Sequence, residues 1–312
     1  MPAPKQRYNL LRKRLEQFTR RLHGLDKGDM RALHRTRVAS RRLREVLPIL
    51  QLDAEVTRKL SRRLRNVTRR LGTIRNLDVL RLLIDELHES GRHDEGSLKR
   101  LAAIVSEERT EGRERLPAKL PTAELHRIAD KLDKIARQLK TLERSSSARG
   151  RTSVRSWRWA VEARLARRTA GLATAIHEAG TVYLPERLHA VRVTLKKLRY
   201  AVELSEEISG APAARELEKK TTSNLRTLKA GQDVLGRLHD LQVLIDRVRQ
   251  FQASLTPPDL AVWRELDVLV TSLENDCRRL HARYMRERSA LLAVCDRVGA
   301  RPSVPAVRRR TG

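Results

Sequence analysis

Apolar residues recur at helical spacing along almost the whole chain. Leu10, Leu11, Leu15, Phe18 and Leu22 form one stripe, which predicts a first helix over 5–23 that stops at Gly24. Ala39, Leu43, Val46, Leu47 and Leu50 form a second, on a helix near 30–51 with Asp29 as its N-cap. Leu60, Leu64, Val67 and Leu71 belong to a third helix, which Asp53 caps, which runs from about 54 towards Ser90 and which Gly91 stops. A fourth helix covers about 96–116 and is interrupted by Pro117 and Pro121. Leu125, Ile128, Leu132, Ile135 and Leu139 predict a fifth over about 122–144. The run from Ser145 to Ser153 reads as a linker and divides the chain into halves 1–150 and 151–299. In the second half helices are expected near 154–178, 185–209, 213–253 and 257–299. Gly180, Gly210 and Gly299 follow three of them, and Pro185, Pro212 and Pro257 take first-turn positions. No clear strand alternation appears, so the expected fold is all-α.

The polar faces of these helices are cationic, and one of them occurs twice. His34, Arg37, Arg41 and Arg44 fall at i, i+3, i+7 and i+10, a single stripe opposite the apolar one. The stretch recurs 155 residues later, pairing His34 with His189, Arg37 with Arg192, Arg41 with Lys196, Arg42 with Lys197 and Arg44 with Arg199. A second match, at an offset of 164, relates Leu71-Gly72-Thr73-Ile74-Arg75-Asn76-Leu77-Asp78-Val79-Leu80 to Leu235-Gly236-Arg237-Leu238-His239-Asp240-Leu241-Gln242-Val243-Leu244. Two matches in the same order point to an internal duplication. Gly inside a helix costs about 1 kcal/mol relative to Ala, so its reuse at Gly72 and Gly236 predicts a kink or a close helix approach. Arg58, Arg62, Arg65 and Arg69 make a further basic stripe on the third helix.

Composition changes the picture in one respect above all. The 312 residues carry a formal net charge of +29, with a sequence pI near 11.3. That excess predicts a polyanionic partner: nucleic acid, an anionic membrane surface or polymeric phosphate. Aromatics are only 3% of residues, so the core must be Leu, Val, Ile and Ala. Cys277 and Cys295 lie on one predicted helix, about 27 Å apart at helical rise, and cannot bridge while it is intact. A reducing, cytoplasmic setting is expected. No apolar run is long enough to span a bilayer, and the opening residues lack the apolar stretch of a secretory signal. Residues 300–312, with Arg301, Arg308, Arg309 and Arg310, are expected to form a basic flexible tail.

The doubled pattern Leu-His-x-x-Arg-Val-x-x-(Arg/Lys)-(Arg/Lys)-Leu-Arg, each copy followed by Leu-Gly-x-x-x-(Asn/Asp)-Leu-x-Val-Leu, resembles the CHAD family, the conserved histidine α-helical domain. The resemblance covers about residues 5–299. It implies two four-helix bundles related by a pseudo-twofold, with long kinked helices and a basic surface or central cleft that binds inorganic polyphosphate. It also implies association with polyphosphate granules. Two departures are local: Asn76 stands where Asp240 stands in the second copy, and the predicted helix at 122–144 has no counterpart in the second half.

Polyphosphate suits these residues on physical grounds. It is a flexible chain with about one charge per phosphoryl unit and no bases, so its binder needs rows of phosphate donors. Arginine offers a planar fork that holds two phosphate oxygens. From His34 to Arg44 a helix rises about 15 Å, enough to follow several phosphates. The candidate binding residues are His34, Arg37, Arg41, Arg42, Arg44, Arg62, Arg65 and Arg69 in the first half. In the second half they are His189, Arg192, Lys196, Lys197, Arg199, Arg226 and Lys229. Arg42 and Lys197 lie about 80° round from their histidines and could instead serve a neighbouring helix. Each histidine has two readings: a phosphate contact that gains charge beside the anion, or a helix-packing residue. From Arg31 to Arg75 there are 14 Lys and Arg against 3 Asp and Glu, a net of +11; from Pro185 to Asp240 there are 11 against 8, a net of +3. The first half is therefore expected to carry more of the affinity.

Non-specific nucleic-acid binding is the rival, since any phosphate-rich polymer feels this field. The few aromatics give little platform for stacking bases, and no helix-turn-helix, zinc-finger or basic-zipper spacing stands out. Glu216-Leu217-Glu218-Lys219-Lys220 fits the Glu-x-Glu-x-Lys signature of triphosphate-tunnel enzymes, which places those side chains on a strand. On a helix, successive members splay by about 200°. No phosphate-cradling Gly-rich loop or metal-ligand spacing is present, and His126 and His281 read as solitary helix-face residues. The expectation is a binding protein with no catalytic residue, metal or cofactor. The arginines at 308–310 offer at most weak attachment to anionic lipid. Oligomeric state is not legible.

Overall fold

The first helix, α1 (Gln6–Thr19), buries Leu10, Leu11, Leu15 and Phe18 as the apolar stripe requires. The structure, a computed structural model, describes residues 6–20, 22–26, 29–91, 93–145, 151–209, 215–255 and 259–300. All regular elements among them are helical. Gly24 does not stop α1. It sits within a short α2 (Leu22–Asp26), where an added Cβ would come within 2.7 Å of the Ala32 Cβ. The glycine therefore permits close approach of α2 to α3 (Met30–Val46) instead of ending a helix.

Aspartates open the next helices. Asp29 accepts from the Arg31 amide at 2.8 Å and starts α3; Asp53 accepts from the Glu55 and Val56 amides at 2.9 and 3.0 Å and starts α4 (Ala54–Glu89). Each satisfies amides that the first helical turn leaves without partners. The second helix was expected to reach residue 51 but ends at Val46. Pro48 has no amide hydrogen, so the chain tightens into a 3-10 turn over Leu47–Ile49, and Gln51 takes a positive φ of 55°. Gly91, at φ 63°, closes α4 as expected. Asp94 caps α5 (Glu95–Glu114) through the Ser97 amide at 2.6 Å, and that bond holds its carboxyl below the usual range. Pro117 stands in a one-turn α6 (Leu116–Lys119), and α7 (Thr122–Ser145) follows Pro121.

Most of the expected linker, 146–150, lies outside the described residues, while residues 151–153 begin α8 (Arg151–Ala179). Gly180, at φ 62°, ends α8, and Pro185 is the first residue of α9 (Pro185–Ser209). Two 40-residue helices complete the chain, α10 (Arg215–Ser254) and α11 (Leu260–Gly299). Gly299 is the last residue of α11, not the one after it. Gly210, Pro212 and Pro257 lie outside the described residues, as do 301–312 of the expected tail.

The chain forms two units, and each draws on separate stretches of sequence. The first takes Met1–Gly150 with Arg237–Leu280. Within it α1 packs on α7 and α3, α3 on α4, and α4 on α5. Leu11, Phe18, Leu43, Leu50, Leu60 and Leu64 are wholly buried there, each contributing about 1.5–3 kcal/mol of apolar transfer. Charged clamps fix the periphery. Glu143 of α7, almost fully buried, accepts from the Arg7 amide at 3.2 Å and its Nε at 3.1 Å. Asp78 of α4, also buried, pairs with Arg109 at 2.7 Å and Arg113 at 3.7 Å on α5. The second unit takes Arg151–Gly236 with His281–Gly312, which are α8, α9, the first part of α10 and the last part of α11, and in it α8 packs on α9. There Gly231 lets α10 approach Leu291 and Leu195, and the Tyr284 ring is wholly buried.

Cys277 and Cys295 are buried and form no disulfide with each other, and burial pushes the Cys295 thiol up to about 11. Among the described residues no helix is long and apolar enough to cross a membrane.

Candidate functional site

Two amphipathic helices of the first unit bring their cationic faces to one place. Burying Leu43 on α3 and Leu64, Val67 and Leu71 on α4 turns the opposite residues outward. Between them lies an open groove of about 580 Å³. Arg37 and Arg44 line it from α3, and Arg65 and Arg69 from α4. Thr68, Thr73 and Asn76 add hydroxyl and amide groups to the floor; Thr68 donates to the Leu64 carbonyl at 2.8 Å. Gly72 is part of that floor, and an added Cβ there would lie 3.5 Å from Arg37 Nε, ordinary van der Waals contact. The far wall comes from elsewhere in the sequence: Glu108 of α5 and Arg247 of α10, joined as an ion pair. Among the described residues no aromatic side chain lines the groove.

The groove collects four of the eight first-half candidates, namely Arg37, Arg44, Arg65 and Arg69. Arg41 and Arg42 are half-buried on α3 and Arg62 is exposed on α4, all outside the groove lining. His34 is exposed at the start of the same stripe. Partial desolvation, then the charges of Arg75, Arg37, Arg35 and Arg41, hold its pKa below 6.5, so the free protein carries it neutral at neutral pH. Arg75 and Arg35 are neighbours of this histidine that the stripe pattern left out.

The second-half candidates are all in the second unit. His189 is exposed on α9, and desolvation followed by Arg192 and Lys196 lowers its pKa too. Lys197 is exposed, as are Arg226 and Lys229 of α10. Arg199 is differently placed from its counterpart Arg44. It donates from Nε to Gln232 at 2.8 Å, pairs with Glu203 at 2.5 Å and stacks 4.9 Å from the Tyr200 ring. By the two sequence offsets, Glu203 stands where the first copy has Pro48, and Asp233 where it has Arg69. Gly236 has no described atom within 4 Å of an added Cβ, so of the two repeated glycines Gly72 alone has such a neighbour.

The backbone of 216–220 is helical, within α10. His126 is exposed, whereas His281 is not solitary: its ring lies 5.4 Å from Tyr183 and 6.3 Å from Tyr284. Among the described residues no group of three or more His, Cys, Asp or Glu is placed to hold a metal ion. Sequence reasoning missed Arg247 and Glu108, because the contact joins positions 139 apart.

The family model for the CHAD domain matches residues 9–249. The crystal structure of the CHAD domain from the plant Ricinus communis is similar with a TM-score of 0.66 at 20% identity, covering 94% of this chain and 91% of that one. PptA from Streptomyces chartreusis is similar with a TM-score of 0.57 at 21% identity, covering 96% and 99%. At these identities the likeness is one of all-α fold. Among curated proteins no sequence matches this chain.

Proposed function

The chain belongs to the CHAD domain family, and on that premise we propose that it binds inorganic polyphosphate in the groove between α3 and α4. The observation that carries this reading is the convergence of Arg37, Arg44, Arg65 and Arg69 on one open, aromatic-free space. Four guanidinium forks present paired donors to a chain of tetrahedral phosphates, each bond charge-assisted on both sides. The threonine and asparagine groups of the floor add neutral contacts to bridging and terminal oxygens. His34, Arg41, Arg42 and Arg62 extend the cationic surface beyond the groove. His189, Arg192, Lys196, Lys197, Arg199, Arg226 and Lys229 form a second, weaker contact set in the other unit. The protein acts by binding, with no chemical step, and works in the cytoplasm at polyphosphate granules.

The lining supports this reading over binding of single-stranded nucleic acid. A single strand gains about 1–3 kcal/mol for each base stacked on an aromatic ring, and the groove offers none. Labelled long-chain polyphosphate bound to the protein, challenged with duplex DNA at equal phosphate concentration, tests the choice. The expected result is that most polyphosphate stays bound. Displacement in proportion to added DNA phosphate would favour a general nucleic-acid binder.

A further inference from the structure

The proposed groove contains an anion among its cations. Glu108 of α5 also lines it, and its carboxylate pairs there with the Arg247 guanidinium of α10. Arg247 also donates from Nη1 to Gln250 at 3.1 Å, one turn along the helix. The two side chains are 26% (Arg247) and 36% (Glu108) exposed, so both are reached by solvent and by any ligand in the groove. Neither belongs to the repeated basic stretches.

A carboxylate on a guanidinium occupies the fork that a phosphate would take. The pair is half-exposed, so water and salt weaken it. A free anion must compete with a tethered carboxylate for Arg247. A chain already held on Arg37, Arg44, Arg65 and Arg69 competes from a high effective concentration, because its next phosphate is tethered too. Glu108 also repels every phosphate that enters.

We propose that Arg247 is a further phosphate-binding residue of this groove and that Glu108 is its resident counter-ion, displaced when a phosphoryl chain fills the space. The proposal rests on the reading that the groove binds polyphosphate. Glu108 thereby sets the affinity below what the arginines alone would give. Arg247 contributes fully only once the carboxylate has left it, so the two residues are energetically coupled.

The test titrates the full chain with labelled long-chain polyphosphate over a salt series. It compares the parent, Glu108→Gln, Arg247→Gln, the double variant and Glu107→Gln. Glu107 is exposed, one residue away and outside the groove lining. Glu108→Gln is expected to bind about 5-fold tighter, against less than about 2-fold for Glu107→Gln, whose charge solvent screens. Its log-log salt slope should steepen by about 0.7, one further phosphate contact. Arg247→Gln should weaken the parent about 2-fold and the Glu108→Gln chain about 10-fold. Equal gains from Glu108→Gln and Glu107→Gln, or an equal Arg247→Gln loss in both backgrounds, overturn the proposal while parent binding stands. Failure of the parent to bind polyphosphate overturns the groove reading, and the proposal with it.

Discussion

The Arg37 guanidinium lies across the bare backbone of Gly72, so that one residue of α3 covers the point where α4 has no side chain. A Cβ at position 72 would meet Arg37 Nε at 3.5 Å and Nη2 at 3.8 Å. Glycine in mid-helix weakens α4, and the space over it would admit a Cβ in ordinary contact with that guanidinium.

Gly72→Ala should therefore stabilise the protein. The added methyl meets only ordinary contact, and Ala exceeds Gly in helix propensity by about 1 kcal/mol, so a gain of about 0.5–1 kcal/mol is expected in denaturant unfolding. Gly72→Leu places a branched chain where the guanidinium lies. Polyphosphate affinity should fall roughly tenfold, the loss of one charge-assisted contact, measured by titration at fixed salt.

The equivalent arginines Arg44 and Arg199 should differ in how far their truncation weakens binding. Arg44 lines the groove, whereas Arg199 is held by Gln232 and Glu203. Arg44→Ala is expected to weaken polyphosphate binding, because it removes a guanidinium from the groove lining. Arg199→Ala should cost about 1 kcal/mol of stability and weaken affinity less than Arg44→Ala does. By the same asymmetry, charge reversal at Arg37 and Arg41 should weaken binding more than reversal at Arg192 and Lys196; equal losses would contradict it.

Leucine stripes were readable in advance because burial follows the helical period directly. Leu10 to Leu22, Leu60 to Leu71 and Leu125 to Leu139 are buried as the spacing requires. Aspartate caps were readable for a similar reason, since Asp29 and Asp53 act on amides two and three residues away. The end of α3 was misread despite Pro48 being in view, because the apolar stripe continues through Leu47 and Leu50 and the 3-10 turn buries both. Gly24 was misread because its role depends on Ala32 across a helix contact. In the site, Arg37, Arg44, Arg65 and Arg69 share faces that periodicity defines. Arg247 and Glu108 reach the groove only through tertiary packing, and no local pattern marks them. The ties of Arg199 to Glu203 and Gln232 lie outside the repeated basic pattern, which marked Arg199 only as a phosphate contact.

Acidification should move stability and binding in opposite directions. His34 and His189 have pKa values depressed in the folded free protein, chiefly by desolvation and then by neighbouring cations. The unfolded chain therefore takes up their protons first, and stability falls as pH drops through the ordinary histidine value towards the depressed one. A bound polyanion raises the same pKa values, so binding takes up protons and affinity rises over that interval. Thermal melts and titrations across the interval check both signs, and His34→Gln should flatten each profile.

The buried Asp78 carboxylate should matter for stability and not for binding. It pairs with Arg109 and Arg113 away from the groove lining. Asp78→Ala leaves those arginines without their carboxylate and opens a gap, at an expected cost of about 3 kcal/mol in denaturant unfolding. Affinity per folded molecule should stay within about 2-fold of the parent, because the groove guanidiniums keep their places.

The most direct measurement is the affinity of the intact protein for long-chain polyphosphate as a function of salt. Four groove guanidiniums, each displacing counterions from one phosphate, predict a log-log slope of about −3 or steeper, with a shallower slope for a chain too short to reach all four. A slope flatter than about −1, the same for short and long chains, would mean that these arginines do not act together on one phosphate chain, and would contradict the account.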